Sequence, residues 1–174
     1  EVKCWGRNNV GQLGDGTTVD RLVPGRAVDL GTVALAITAG DEHTCALTVL
    51  RTIKCWGSNS SGQLGIWWGL SSSSTAIDVG GLGSGVRALE AGGRQTCAIV
   101  QDGHVKCWGG YSIPADVRNL DASVQAIAVG TSVTCALTVN GSVKCWENPG
   151  RQSSSADLIL SSTIDLAFMG TGVE

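Results

Sequence analysis

Six cysteines stand in pairs ten positions apart, Cys45 with Cys55, Cys97 with Cys107 and Cys135 with Cys145, along a chain of 174 residues. Thiols at such a recurring interval can be joined as disulfides, hold a metal, or pack as small apolar side chains. The segment from Cys135 to Cys145 bears on the choice. There Leu137, Val139, Val143 and Cys145 alternate with polar or small residues around Asn140-Gly141, which predicts a β-hairpin. A three-residue loop Val139-Asn140-Gly141, with its glycine in the left-handed position, pairs Thr138 with Ser142, Leu137 with Val143 and Cys135 with Cys145. The same geometry on Gln101-Asp102-Gly103 sets Cys97 opposite Cys107, whereas the turn between Cys45 and Cys55, Val49-Leu50-Arg51, lacks the glycine. Opposed residues of a non-hydrogen-bonded antiparallel pair have Cα atoms roughly 4.5 Å apart, at the short edge of the disulfide range of about 4.4 to 6.8 Å. Cross-strand disulfides Cys45–Cys55, Cys97–Cys107 and Cys135–Cys145 are therefore expected, leaving Cys4 unpaired. Buried free thiols are the alternative, against which the recurrence of the pairing argues. Zinc is disfavoured, because there is no Cys-x-x-Cys and there are only two histidines. Disulfides imply an oxidising compartment, extracellular, on the cell surface, or periplasmic.

Other reactive side chains do not assemble into chemistry. His43, in Glu42-His43-Thr44-Cys45, resembles a base beside a thiol, yet its counterparts in the other copies are Gln95 and Val133, so a packing or turn role is expected. His104 corresponds to Ser142 and Thr52 and reads as a solvent-facing hairpin residue. Neither histidine stands with a serine or aspartate in a nucleophilic arrangement, so no catalytic, cofactor-binding or metal-ligating residue is assigned and no enzyme or cofactor is expected. Trp67-Trp68 recurs nowhere else and lies in a glycine-flanked insertion, where paired aromatics suit a partner-contact loop. Asn59-Ser60-Ser61 and Asn140-Gly141-Ser142 match the glycosylation acceptor pattern, a short motif that occurs often by chance. Gly14-Asp15-Gly16 and Gly81-Leu82-Gly83 are turn glycines without the helix that a phosphate loop needs.

The elements that carry these residues repeat. Val2-Lys3-Cys4-Trp5-Gly6, Ile53-Lys54-Cys55-Trp56-Gly57, Val105-Lys106-Cys107-Trp108-Gly109 and Val143-Lys144-Cys145-Trp146-Glu147 superpose. The first two are followed by the same block, Asn8 through Gly11-Gln12-Leu13-Gly14 and Asn59 through Gly62-Gln63-Leu64-Gly65, which the third and fourth copies lack. Upstream lie Ala39-Gly40 to Leu47, Ala91-Gly92 to Ile99 and Val129-Gly130 to Leu137, and a fourth such block begins at Met169-Gly170. Short strands at Val33–Ile37, Val86–Leu89 and Val124–Ala128 precede these blocks, giving three to four strands per copy. Self-similarity at 40 to 50 residues marks an array whose single unit cannot bury its own apolar face, and the strand count is that of a propeller blade. The recurring Trp5, Trp56, Trp108 and Trp146 are expected to pack between neighbouring blades.

The pattern G-x-V-K-C-W-G-x-N-x-x-G-Q-L-G-x-G-T followed by A-G-x-x-H-T-C-A-L resembles the regulator of chromosome condensation repeat, best over Val2–Thr17 and Val33–Gly65. Trp67-Trp68 stands where the family has Asp-Gly-Thr. The resemblance implies a closed ring, usually of seven blades, and functions in protein binding: nucleotide exchange on a small GTPase, scaffolding in ubiquitin ligases, or, in cysteine-containing variants of the bacterial type, secreted inhibitors and surface proteins. The exchange activity depends on loop residues to which no position here can be matched. The fold expected is therefore all-β, a propeller fragment of about four blades with short antiparallel strands, read as one unit over 1–174 with repeats at about 1–50, 51–102, 103–140 and 141–174 and both ends in mid-blade. An isolated piece of this kind is expected to be marginal or aggregation-prone.

Composition agrees. A chain 43% hydrophobic, with 25 glycines and one phenylalanine, is too apolar to be disordered and too rich in turn residues for a helical fold. A net charge of −3 without a Lys/Arg cluster disfavours direct nucleic-acid binding, and no apolar stretch reaches the roughly 18 residues of a membrane span. The function expected is a non-catalytic module of an extracellular protein that binds another protein or a cell-surface component. The alternative is an intracellular exchange factor or scaffold of the chromosome-condensation-regulator type.

Overall fold

The computed structural model describes residues 1–27, 29–66, 69–82, 85–110, 112–120 and 123–148, together with the backbone of 164–166. Trp67, Trp68, Tyr111 and the Met169-Gly170 block lie outside the described residues. The described residues form strands and turns without a helix. β1 (Lys3–Gly6) and β2 (Arg21–Arg26) make a two-stranded sheet. Three four-stranded antiparallel sheets follow: β3 (Ala34–Ala39), β4 (His43–Thr48), β5 (Ile53–Ser58) and β6 (Ser72–Asp78); β7 (Val86–Gly92), β8 (Gln95–Val100), β9 (Val105–Gly109) and β10 (Ser112–Asp116); and β11 (Val124–Val129), β12 (Val133–Thr138), β13 (Val143–Glu147) and β14 (Ile164–Leu166). In each, the strands lie side by side in chain order, which is a meander built by successive short turns.

The hairpins take the register that the turn residues predict. Leu137 pairs with Val143 and Cys135 with Cys145, Gly141 has φ +85°, and its amide closes the turn onto Thr138 O at 3.0 Å. Cys97 faces Cys107 around Gly103, whose φ is also +85°. In the glycine-free turn Arg51 itself adopts φ +61° and bonds to Thr48 O at 2.9 Å. The pairing of Cys45 with Cys55 is kept. The shared β-sheet register thus overrides a left-handed preference that disfavours a non-glycine residue by about 1 kcal/mol.

Core lies between sheets rather than within them. One cluster joins Cys45, Leu47, Ile53 and Cys55 of the β3–β6 sheet to Val86, Leu89, Ala98 and Trp108 of the next. Its repeat joins Cys97, Ile99, Val105 and Cys107 to Val124, Ala136 and Trp146. A smaller one sets Val2 and Cys4 against Ala46 and Trp56. Each of the first three sheets therefore presents its cysteine face to the Ala–Trp face of the sheet that follows, as consecutive blades require, because a single sheet has no second layer to cover it. First strands are tied to the preceding turns: Val86 N donates to Arg51 O at 3.2 Å and Val124 N to Gly103 O at 2.9 Å.

Candidate functional site: the seams between sheets

The three cysteine pairs lie at facing positions with Cα atoms 4.1, 4.1 and 4.0 Å apart and are joined as disulfides Cys45–Cys55, Cys97–Cys107 and Cys135–Cys145. The first two are fully buried in the seams, and Cys4 is the free cysteine among the described residues. Cys4 packs against the Ala46–Trp56 face, and burial, with the nearby Asp15 charge, pushes its thiol pKa up. Its ordinary nucleophilicity is thereby reduced, since the thiolate is the reactive form.

The block Asn8–Gly14 and its copy Asn59–Gly65 are built on an asparagine. Asn8 Oδ1 accepts from Leu13 N at 2.9 Å, and its Nδ2 donates to Thr17 O and Val19 O, both at 3.1 Å. Asn59 Oδ1 accepts from Leu64 N at 3.0 Å, and its Nδ2 donates to Leu70 O at 2.9 Å. The amide of this acceptor-pattern asparagine is thus committed to its own loop, whereas Asn140 is exposed at a hairpin tip. The glutamines fold back in the same way: Gln12 Oε1 accepts from Val10 N and Gln63 Oε1 from Ser61 N. Their side chains being occupied, it is the main-chain oxygens that face the next sheet.

Those oxygens hold the seams. Gln12 O accepts from Trp56 Nε1 at 3.0 Å and from Thr44 Oγ1 at 2.9 Å. Gln63 O accepts from Trp108 Nε1 at 3.0 Å and from Thr96 Oγ1 at 3.2 Å. Gly14 and Gly65 lie flat on the indoles: with φ +72° and +71°, a Cβ there stands 2.7 Å from Trp56 Nε1 and 3.1 Å from Trp108 Nε1. Trp56 and Trp108 are fully buried and Trp146 nearly so. Trp5 departs from the expected packing at 58% exposure, because no described sheet precedes β1–β2 to cover its tryptophan face. It lines an open cavity of about 340 Å³ with Cys4, Gln12, Ile37, Thr38 and His43.

His43 is a seam residue. Thr96 Oγ1 gives its proton to Gln63 O, so at 2.8 Å it accepts from His43 Nε2, leaving Nδ1 bare, buried and without a partner. Burial lowers the imidazole pKa from 6.5 to about 4, which keeps the ring neutral. This is a packing histidine, as its replacement by Gln95 and Val133 implies. His104 sits exposed beside Asp102 at 3.7 Å. Among the described residues, no group of three or more His, Cys, Asp or Glu is arranged to hold a metal ion, and no helix is long and apolar enough to cross a membrane. The carbonyl links themselves escape sequence reasoning, since a main-chain oxygen leaves no residue type to read. The recurrence of Thr44, Thr96 and Thr134 with the tryptophans is the sequence feature that accompanies them.

Two models of the regulator of chromosome condensation (RCC1) repeat match residues 1–47 and 35–63, which hold the first asparagine–glutamine block and the second as far as Gln63. Residues 1–63 thus match the regulator of chromosome condensation repeat. It is 31% identical over 110 residues to the ultraviolet-B receptor UVR8 of Arabidopsis thaliana, covering 63% of this chain and 25% of that protein. It is 36% identical over 115 residues to the probable E3 ubiquitin-protein ligase HERC6 of Homo sapiens, covering 63% of this chain and 11% of that protein. The chain thus spans a quarter or less of these repeat-bearing relatives. In three dimensions it resembles human WBSCR16 (TM-score 0.80, 20% identity, all of this chain and 50% of that one). Yeast RCC1 (Prp20), in its complex with Kap60, gives a TM-score of 0.73 at 18% identity over 97% of this chain and 45% of that one. The fold is accordingly an all-β propeller, and the sheets are its blades.

Proposed function

We propose that the chain is a stretch of about four blades, with repeats near 1–50, 51–102, 103–140 and 141–174, from a larger propeller in an exported protein. Its task is to bind another protein or a cell-surface component, without catalysis. The observation that carries this reading is the disulfide in each of three successive blades. Such bonds persist in oxidising compartments and are reduced in the cytosol. Loops on a rigid scaffold supply contact surface, and Trp67-Trp68, in the connection between β5 and β6, are the aromatic anchors we assign to the partner. Counting thiols under denaturing conditions tests the compartment: one reactive thiol without reductant and seven with it are expected. Seven without reductant overturn the reading.

A second reading draws on the relatives. Yeast Prp20p has been crystallised and characterised for binding to Gsp1p and histones, and HERC6 is named as a probable ubiquitin ligase. An intracellular exchange factor or scaffold of this type requires reduced cysteines and, for exchange, faster release of GDP from a small GTPase on adding the protein.

A further inference from the structure

Asn59 and Asn140 both stand in the acceptor pattern Asn-x-Ser, and the fold treats them in opposite ways. Asn59 is the hub of its loop. Its Nδ2 donates to Leu70 O at 2.9 Å and to Ile66 O at 3.5 Å, while its Oδ1 accepts from Leu64 N. The same loop delivers Gln63 O to Trp108, so a substituent on Asn59 Nδ2 displaces a bond within the segment that closes the seam.

Asn140 occupies the tip of the β12–β13 turn and is exposed. Its Oδ1 accepts from Ser142 N at 3.2 Å and faces Thr138 Oγ1. A main-chain N–H can only donate, so Ser142 N settles which atom of the amide is the oxygen. Nδ2 is left without a hydrogen-bond partner among the described residues. The space around it is open: a Cβ on Gly141 meets nothing within 4 Å, and Val139 is 63% exposed. A group carried on Nδ2 leaves Oδ1 to Ser142 and leaves the turn's own bond, Gly141 N to Thr138 O, untouched.

We propose that Asn140 carries an N-linked oligosaccharide in the exported protein, and that Asn59 in the folded protein carries none. In the transfer, Asn140 Nδ2 bonds to the anomeric carbon of a sugar held on a lipid diphosphate. The bond from that carbon to the diphosphate oxygen breaks, the lipid diphosphate leaves, and the Nδ2 proton passes to a base of the transferase. Transfer acts on the chain before folding is complete, so both asparagines meet the enzyme and the fold selects which substituted chain it can accommodate. A bulky, solvated group suits an open turn and not a loop that closes a seam. The site rests on the exported reading above and adds a direction to it. The tips 49–51, 101–103 and 139–141 share one face, since Val86 N is tied to Arg51 O and Val124 N to Gly103 O. β5 starts at the first of these tips and ends at the connection that holds Trp67-Trp68, so a glycan at Asn140 lies on the face away from that connection.

For the test, the full chain is expressed behind a cleavable secretory signal in animal cells and treated with peptide N-glycosidase, which converts an occupied asparagine to aspartate. Peptide mass spectrometry of the secreted, disulfide-bonded protein is expected to find aspartate at position 140 and asparagine at position 59. Asn140→Gln and Ser142→Ala are each expected to abolish the gel shift on glycosidase treatment, and Ser142→Thr, which keeps the hydroxyl, to retain it. Position 140 is also read from the cell membrane fraction, where transfer takes place whether or not the chain goes on to fold, and aspartate is expected there too. Asparagine at 140 in both pools, or aspartate at 59 in the secreted pool, overturns the proposal. Seven reactive thiols in the native protein overturn the exported reading and this site with it, whereas a bare Asn140 in a protein with one reactive thiol overturns the site alone.

Discussion

The seam that ends at Trp108 and the seam that ends at Trp146 start from the same residues. Both place a disulfide, a branched aliphatic pair and an alanine against an indole, and both are buried. They differ in whether a loop carbonyl meets the indole N–H, and that difference follows from the length of one connection. Apolar closure and polar closure of a propeller seam are thus separable: the first is written in the strands, the second in the loop of the preceding blade.

The largest effect should come from removing an indole outright. Trp108→Ala is expected to destabilise by about 3 to 5 kcal/mol in denaturant titration, through lost burial and the cavity left behind. Trp5→Ala, at an exposed position of the same repeat, should stay within about 0.5 kcal/mol. Comparable losses for the two show that the sequence repeat, rather than the seam, sets the cost.

Acid acts on the neighbouring seam through His43. Its folded pKa of about 4 lies below the ordinary 6.5, so between these values the unfolded chain binds a proton that the folded chain refuses. Stability is therefore expected to be full above pH 6.5 and to fall by on the order of 3 kcal/mol as the pH is lowered towards 4. His43→Gln, which installs the residue of the next repeat, should flatten this slope in thermal melts taken across the window. A slope that persists in the variant assigns it to the carboxylates.

Severing a disulfide tests the apolar half of the comparison. The double change Cys97→Ser and Cys107→Ser should cost roughly 2 to 3 kcal/mol, the worth of closing a loop of this size, plus the burial of two hydroxyls. The smallest effect separates the seams most sharply. Trp108→Phe deletes a satisfied N–H and should cost about 1 kcal/mol beyond the change in ring size, while Trp146→Phe deletes an unsatisfied one and should cost less or stabilise. Equal chemical-denaturation midpoints for the two variants would mean that Trp146 Nε1 has a partner in solution.

Much of this was legible in the residues. The Asn140-Gly141 and Asp102-Gly103 turns and the ten-residue cysteine interval determine hairpin register, because a slip of one residue turns every side chain to the other face. The turn at Arg51 was not, since nothing local favours a left-handed arginine and the flanking strands impose it. The pairing of His43 with Thr96 was hidden for a different reason: it joins residues of adjacent blades, and only stacking brings them together. Trp5 shows the limit of repeat logic, for an identical motif has a different environment where no preceding sheet covers it among the described residues. The loop hub at Asn8 and Asn59 was visible as a recurrence, but its role in turning a carbonyl outward was not.

That outward carbonyl bears on how such a ring changes over generations. A side-chain clasp is lost by one substitution in a codon. A clasp made from a backbone oxygen persists under substitutions that leave the loop's path intact, and is readily lost by a deletion that shortens the loop. The third repeat, where residues 110–111 stand in place of the block, has the form of such a deletion. Variation in a lineage of these proteins should therefore enter the seams chiefly through gained and lost segments, with each loss leaving an indole N–H without its carbonyl.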